Sequence, residues 1–315
     1  MPIPPSEYVS NVWKQGIFDG RVVFVTGGAG TICSAQTRAL VHLGANACII
    51  GRNQQKTEEA AKDIATARTG AKVIGIGGCD VRSPESLVKA AERCVKELGA
   101  IDFVIAGAAG NFVAPISGLT PNGFKAVMEI DVLGTYNTVK ATLPYLIESA
   151  ARNREDSSGL TGGRIIYVSA TFHYSGMPLQ AHVMAAKASV DSIMASVAIE
   201  YGPYGVTSNV IAPGGIEGTE GLERLSSRKM DKKAASASIP LGRFGTVRDV
   251  ADATVYLFSD AGNYITGEIL VVDGADWRHK GTGVGLDSNM KYPDYLLSGE
   301  FSKHVKTGKK EKSKL

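Results

Sequence analysis

The chain is poor in the residues that build metal and redox sites. Its 315 residues hold four cysteines, Cys33, Cys48, Cys79 and Cys94, spaced 15, 31 and 15 apart, so no CxxC pair exists for zinc or thiol exchange. They read as small buried side chains of a reducing compartment. The five histidines are scattered, without the spacing of a metal-ligand set, and no metal is expected. No apolar run approaches the roughly 18 residues of a membrane-spanning helix; the longest, at 45–50 and 103–109, stop far short, so membrane insertion is not expected. The first nineteen residues carry Pro2, Pro4, Pro5, Glu7 and Asp19 and no apolar core of signal-peptide length, which argues against secretion. Charge is unevenly placed. The net charge is +3, but Lys303, Lys306, Lys309, Lys310, Lys312 and Lys314 against Glu311 put +5 in the last thirteen residues and leave −2 for the rest. With no basic stripe interleaved with aromatics, nucleic acid is not an expected partner.

What the chain does have is alternation. Short apolar runs at 21–26, 47–51, 73–79, 102–107, 164–169, 206–212 and 268–272 are separated by amphipathic stretches at 36–43, 54–67, 84–98 and 247–258. Continuously apolar strands with intervening helices predict a parallel sheet covered on both faces, a doubly wound α/β fold. One domain is expected over 20–274, after an extension at 1–19 and before an irregular tail at 275–315. The polar segment 152–163 reads as a Gly- and Ser-rich loop.

The first strand runs into Thr26-Gly27-Gly28-Ala29-Gly30-Thr31-Ile32-Cys33 and then a helix. A glycine-rich strand-to-helix turn lets backbone N–H groups and the helix N-terminus approach a pyrophosphate. At the end of the second strand, where an NAD site carries Asp or Glu for the ribose 2′-hydroxyl, stands Arg52. A guanidinium there pairs with a 2′-phosphate, so NADPH is the expected cofactor. Asp80, followed by Val81, is placed for the adenine edge, and Gly107 for close passage of the cofactor along backbone.

With the Ala106-Gly107-Ala108-Ala109-Gly110 turn, Asp131-Val132-Leu133-Gly134, helical Lys187 and Pro213-Gly214, the chain resembles the short-chain dehydrogenase/reductase family from about 20 to 274. The resemblance implies a Rossmann fold with a seven-stranded sheet, Lys187 on the nicotinamide ribose, and Pro213, Gly214 and Thr219 near the nicotinamide. Thr31 and Cys33 stand where the family pattern has glycines. A larger departure lies four residues before Lys187: Val183 occupies the place of the family's catalytic Tyr, and Ala170 that of its Ser. Valine cannot donate a proton, so carbonyl reduction by the family mechanism is disfavoured.

A subgroup without this Tyr reduces 2,4-dienoyl-CoA esters. The chain is similar to its peroxisomal branch at Gly110-Asn111-Phe112, Met128-Glu129-Ile130-Asp131, Ala170-Thr171, Ala185-Ala186-Lys187 and Gly218-Thr219-Glu220-Gly221. The resemblance implies a fatty acyl-CoA substrate, with Asn111 donating to the thioester oxygen and Asp131, through water and with Lys187, delivering a proton at Cα. Asn111, Phe112, Thr171 and Phe172 are the expected substrate contacts, with His173 and Tyr174 as further candidates. His182 is a tempting replacement acid, though a lone helical His is more often structural. The helix 181–201 is rich in Ala and Ser on several faces; it predicts a homodimer or homotetramer. The terminal Ser313-Lys314-Leu315 matches the tripeptide read by the peroxisomal import receptor. Two other readings stand beside this one: a reductase of another conjugated or oxo acyl thioester, and a non-catalytic cofactor-binding scaffold.

Overall fold

The seven apolar runs become seven strands: β1 (Val22–Thr26), β2 (Asn46–Ile50), β3 (Val73–Ile76), β4 (Phe103–Ala106), β5 (Arg164–Val168), β6 (Thr207–Pro213) and β7 (Ile269–Val272). All pair in parallel, in the order β3-β2-β1-β4-β5-β6-β7. The computed structural model describes residues 3–155, 162–219, 221–222 and 232–279; the expected import tripeptide, most of the tail and Glu220 lie outside them. Alternation along each strand feeds two cores. Val22 and Phe24 face one layer with Leu87 and Val104, while Val23 and Val25 face the other with Leu40 and Phe258.

The helices are α1 (Thr31–His42), α2 (Gln54–Ala65), α3 (Pro84–Leu98), α4 (Pro121–Val127), α5 (Gly134–Glu155), α6 (Phe172–Ser175), α7 (Ala181–Tyr201), α8 (Lys232–Ala237), α9 (Val247–Phe258) and α10 (Asp276–His279). Their ends follow capping chemistry. Ser83 accepts from Ser86 N–H ahead of Pro84 at the start of α3, and Gly99 at φ 94° ends it. Thr246 and Asp249 form a reciprocal box at the start of α9. Among the described residues no helix is long and apolar enough to cross a membrane.

Two expectations need correction. The third strand stops at Ile76, because Gly77 and Gly78, the latter at φ 66°, turn the chain away. The expected loop at 152–163 begins later: α5 runs to Glu155, with Arg152 reaching the buried Asp102 at 3.4 Å and Asn153 bonding back to the Ser149 carbonyl. The described part of the expected extension, 3–19, packs on the domain. Tyr8, Val9 and Phe18 are buried, and Ser10 N–H and Trp13 Nε1 both donate to Asp252 Oδ1 on α9, at 2.9 and 2.8 Å.

Candidate active site

Strand order reverses between β1 and β4, and at such a switch point the loops at the carboxyl ends splay apart. A cavity of about 920 Å³ opens there, reached by Gly27, Gly30, Arg52, Asp80, Val81 and Gly107 of the expected cofactor set, and by Asn111 and Phe112. Its floor is made of positions where a side chain has no room. Gly27 takes φ 67°, and a Cβ there would press on the Ala108 backbone. A Cβ on Gly28 would overlap Ile49, and one on Gly107 would overlap the Cys33 thiol. Thr26 ties the two loops together, its hydroxyl accepting from the N–H groups of Gly107 and Ala108 at 3.1 and 3.2 Å.

The two departures from the glycine pattern leave this turn intact. Gly30 caps α1, Thr31 opens it on the exposed side, and Ile32 packs partly into the core. Cys33 is buried; desolvation pushes its thiol up to about 12, so it fills space as a neutral group.

At the far end of the cavity the exposed Arg52 is joined by Lys56, a cation the sequence reading missed. Its signal was available: a lysine in the first turn of α2, where the helix dipole disfavours positive charge. Asp80 is already engaged. Its carboxylate accepts from the Arg82 backbone N–H, Nε and Nη2, and those guanidinium bonds hold its carboxyl below the ordinary range.

The surroundings of Asp131 and Lys187 are drier. Asp131 lies in a π-helical turn, Met128–Leu133, between α4 and α5, and is 1% exposed. Its Oδ1 accepts from Gly110 N–H at 2.7 Å, and its Oδ2 lies 3.2 Å from Lys187 Nζ on α7. Lys187 also donates to the Val168 carbonyl at 3.0 Å. Gly134 permits close packing, since a Cβ there would strike Val81. Asn111, one residue beyond Gly110, has its amide oxygen buried with no partner among the described residues. Val183 is buried with Val127 and Ala186 in an apolar cluster against which Met128, Val132 and Phe172 pack.

Other expected residues carry structural duties. His182 is fully buried, and its Nε2–H donates to the Phe112 carbonyl at 3.0 Å, which fits the structural reading rather than the acid. The Thr219 hydroxyl donates to Ile216 O and accepts from Leu222 N–H, so it is spent on its own turn. Thr171 N–H donates to Pro213 O and Gly214 N–H to Val272 O, which joins the ends of β5, β6 and β7. His173 and Tyr174 turn their polar atoms toward Asp191 on α7.

A glycine cradle at one place and two exposed cations further along suit a long anionic ligand, and a dinucleotide fits both. Glycine-lined backbone would take the pyrophosphate and Arg52 with Lys56 the ribose corner. The fold and cavity thus define a nucleotide-dependent oxidoreductase of the Rossmann type. The family model described as enoyl-(acyl carrier protein) reductase matches residues 27–274, and the chain belongs to the short-chain dehydrogenase/reductase family. It is 50% identical over 292 residues to a peroxisomal 2,4-dienoyl-CoA reductase, (3E)-enoyl-CoA-producing, of Saccharomyces cerevisiae, covering 92% of this chain and 94% of that one. The Danio rerio protein of the same description is 38% identical, covering 85% of each chain. Among solved structures, a short chain dehydrogenase from Bacillus anthracis superposes with a TM-score of 0.70 at 33% identity, covering 83% of this chain and 98% of that one.

Proposed function

We propose that the protein reduces 2,4-dienoyl-CoA to 3-enoyl-CoA in the peroxisomal β-oxidation of unsaturated fatty acids, with NADPH as its cofactor. The observation that carries this reading is the combination at α7: Val183 buried in an apolar cluster where a carbonyl reductase needs an acid, with Lys187 and Asp131 kept as a buried pair beside it. The relatives' names, given above, agree with it.

Bound NADPH would supply the hydride that Cδ of the diene receives. The electron pair then moves to the thioester oxygen, where the Asn111 side-chain NH2, one residue beyond the Gly110 that Asp131 holds, would donate a hydrogen bond. Protonation at Cα completes a 3-enoyl-CoA. Lys187 holds a proton at Nζ with Asp131 as its counter-ion, and the pair delivers it to Cα through water. No group at position 183 takes part. Val183 instead packs within its apolar cluster.

Arg52 and Lys56 support NADPH over NADH, because two cations suit a 2′-phosphate and the end of β2 carries Arg52 where an NAD site carries Asp or Glu. Leu133, Tyr136 and Ile199 are exposed apolar side chains around α5 and α7, which supports a homodimer or homotetramer through these helices. Ser313-Lys314-Leu315 is the proposed contact for the import receptor. The reading is tested by following NADPH oxidation with 2,4-hexadienoyl-CoA beside acetoacetyl-CoA. Turnover of the dienoyl ester alone is expected. Turnover of the ketoester alone would mean that another residue supplies the acid absent at Val183.

A further inference from the structure

Next to the reacting centre lies a polar cluster that the proposed chemistry leaves unused. Asp191, ten residues into α7, accepts two hydrogen bonds at one oxygen: Oδ2 lies 2.7 Å from His173 Nε2 and 2.7 Å from the Tyr174 hydroxyl. The His173 and Asp191 side chains are 5% and 11% exposed. His173 Nδ1 and Asp191 Oδ1 are buried with no partner among the described residues. A buried carboxylate with one oxygen unsatisfied is unfavourable for stability alone, so the cluster calls for another reason.

That reason is found in what it holds. The helix α6 is a single turn, closed by Gly176 at φ 84°, and a single turn has no stability of its own. Two of its side chains, His173 and Tyr174, reach the same oxygen on α7. The Tyr174 ring also packs on His173, with centroids 3.9 Å apart, and on Trp277 of α10 at 5.4 Å. Burial and the Asp191 bond raise the Tyr174 hydroxyl above its ordinary range and keep it a donor. The first residue of this turn is Phe172, whose ring packs on the Val127, Val183 and Ala186 cluster. Val127 also lines the main cavity. The rotation of α6, fixed at Asp191, therefore decides where the Phe172 ring stands.

We propose that Asp191 is a positioning residue that, through His173 and Tyr174, sets Phe172 as the apolar wall for the acyl chain of the substrate. It thereby governs affinity and discrimination between acyl chains, not the chemical step. This inference rests on the dienoyl-CoA reading above. A loosened wall weakens contacts made equally in the ground and transition states, so it acts on KM.

The test uses the full chain carrying Trp13→Phe, which leaves Trp277 as its one tryptophan. In that background His173→Leu with Tyr174→Phe removes both donors, Tyr174→Phe alone removes one with its ring kept, and His173→Gln with Tyr174 intact keeps a donor toward Asp191. Kinetics are measured with 2,4-hexadienoyl-CoA and 2,4-decadienoyl-CoA, beside Trp277 emission and its quenching by acrylamide. In the double variant KM for the longer ester should rise roughly tenfold, the effect of losing two neutral-to-charged hydrogen bonds partly offset by repacking. Its kcat should stay within about twofold, the preference between the two esters should change, and Trp277 should become more quenchable. Tyr174→Phe should fall between, and His173→Gln should restore both readouts. A fall in kcat at unchanged KM would overturn the proposal, as would unchanged constants for both esters while Trp277 loosens. If the parent chain turns over neither ester, the dienoyl-CoA reading itself fails, and the wall falls with it.

Discussion

Asp131 and Lys187 stand 3.2 Å apart, one on a π-helical turn and the other on a regular helix, and both are almost wholly removed from water. Wider i→i+5 turns re-aim side chains and recur at functional sites. Here the turn lets one carboxylate reach both Gly110 N–H, beside Asn111, and the Lys187 ammonium. The pair thus joins the loop carrying Asn111 to the helix carrying the cation.

Replacing Asp131 by Asn keeps the volume and removes the counter-ion. Turnover should fall by on the order of 10²-fold or more, while NADPH affinity, measured by fluorescence titration, stays near wild type. Unchanged turnover would remove Asp131 from the proton path.

Arg52→Ala tests cofactor choice. Losing a charge-assisted contact to a 2′-phosphate costs about 1.5–3 kcal/mol, or roughly 10- to 100-fold in Kd. NADPH should weaken by that factor and NADH hardly at all; equal weakening of both would refute the assignment.

Gly107 and Cys33 make a paired prediction, because the thiol occupies the space a Cβ on Gly107 would need. Gly107→Ala should destabilise the chain by about 1–3 kcal/mol through overpacking and weaken nucleotide binding. Adding Cys33→Ala should recover much of both, as read by denaturant midpoints and titration. A double variant no better than Gly107→Ala would place the clash elsewhere.

Asp249 provides a pH signature. Hydrogen bonds from Arg243, with those of Thr246, lower its carboxyl from 3.8 to about 2 in the folded chain. Because the folded value is depressed, the stabilisation is complete above the unfolded value and is lost as pH falls through the folded one. The stability advantage of the wild type over Asp249→Asn should be constant above about pH 4 and shrink between about pH 4 and pH 2. An advantage undiminished at pH 2 would contradict the assignment.

The strands were legible because a parallel sheet buried on both faces writes itself as apolar runs, and only their ends moved, as at Gly77 and Gly78. The glycine cradle was legible for the same kind of reason: Gly27 and Gly107 answer to local sterics. The π-helical turn was not, since i→i+5 bonding leaves no period of its own in Met128–Leu133. Nor was the environment of His182 or Asp191, because a lone polar residue on a helix gives no sign of the partner that buries it. Phe112 O and the α6 side chains, which decide those cases, come from 70 and 17 or 18 residues away.

The lead-in strap bears on how the chain matures as it is made. Tyr8 can settle early, its ring edge-on to His42 and under the Arg38 guanidinium. Ser10 and Trp13 cannot, since the carboxylate they share lies 242 and 239 residues downstream. During synthesis Ser10 and Trp13 wait for this partner until α9 has left the ribosome, and long-range closure of this kind slows folding. A segment made well before α9 thus completes its contacts late.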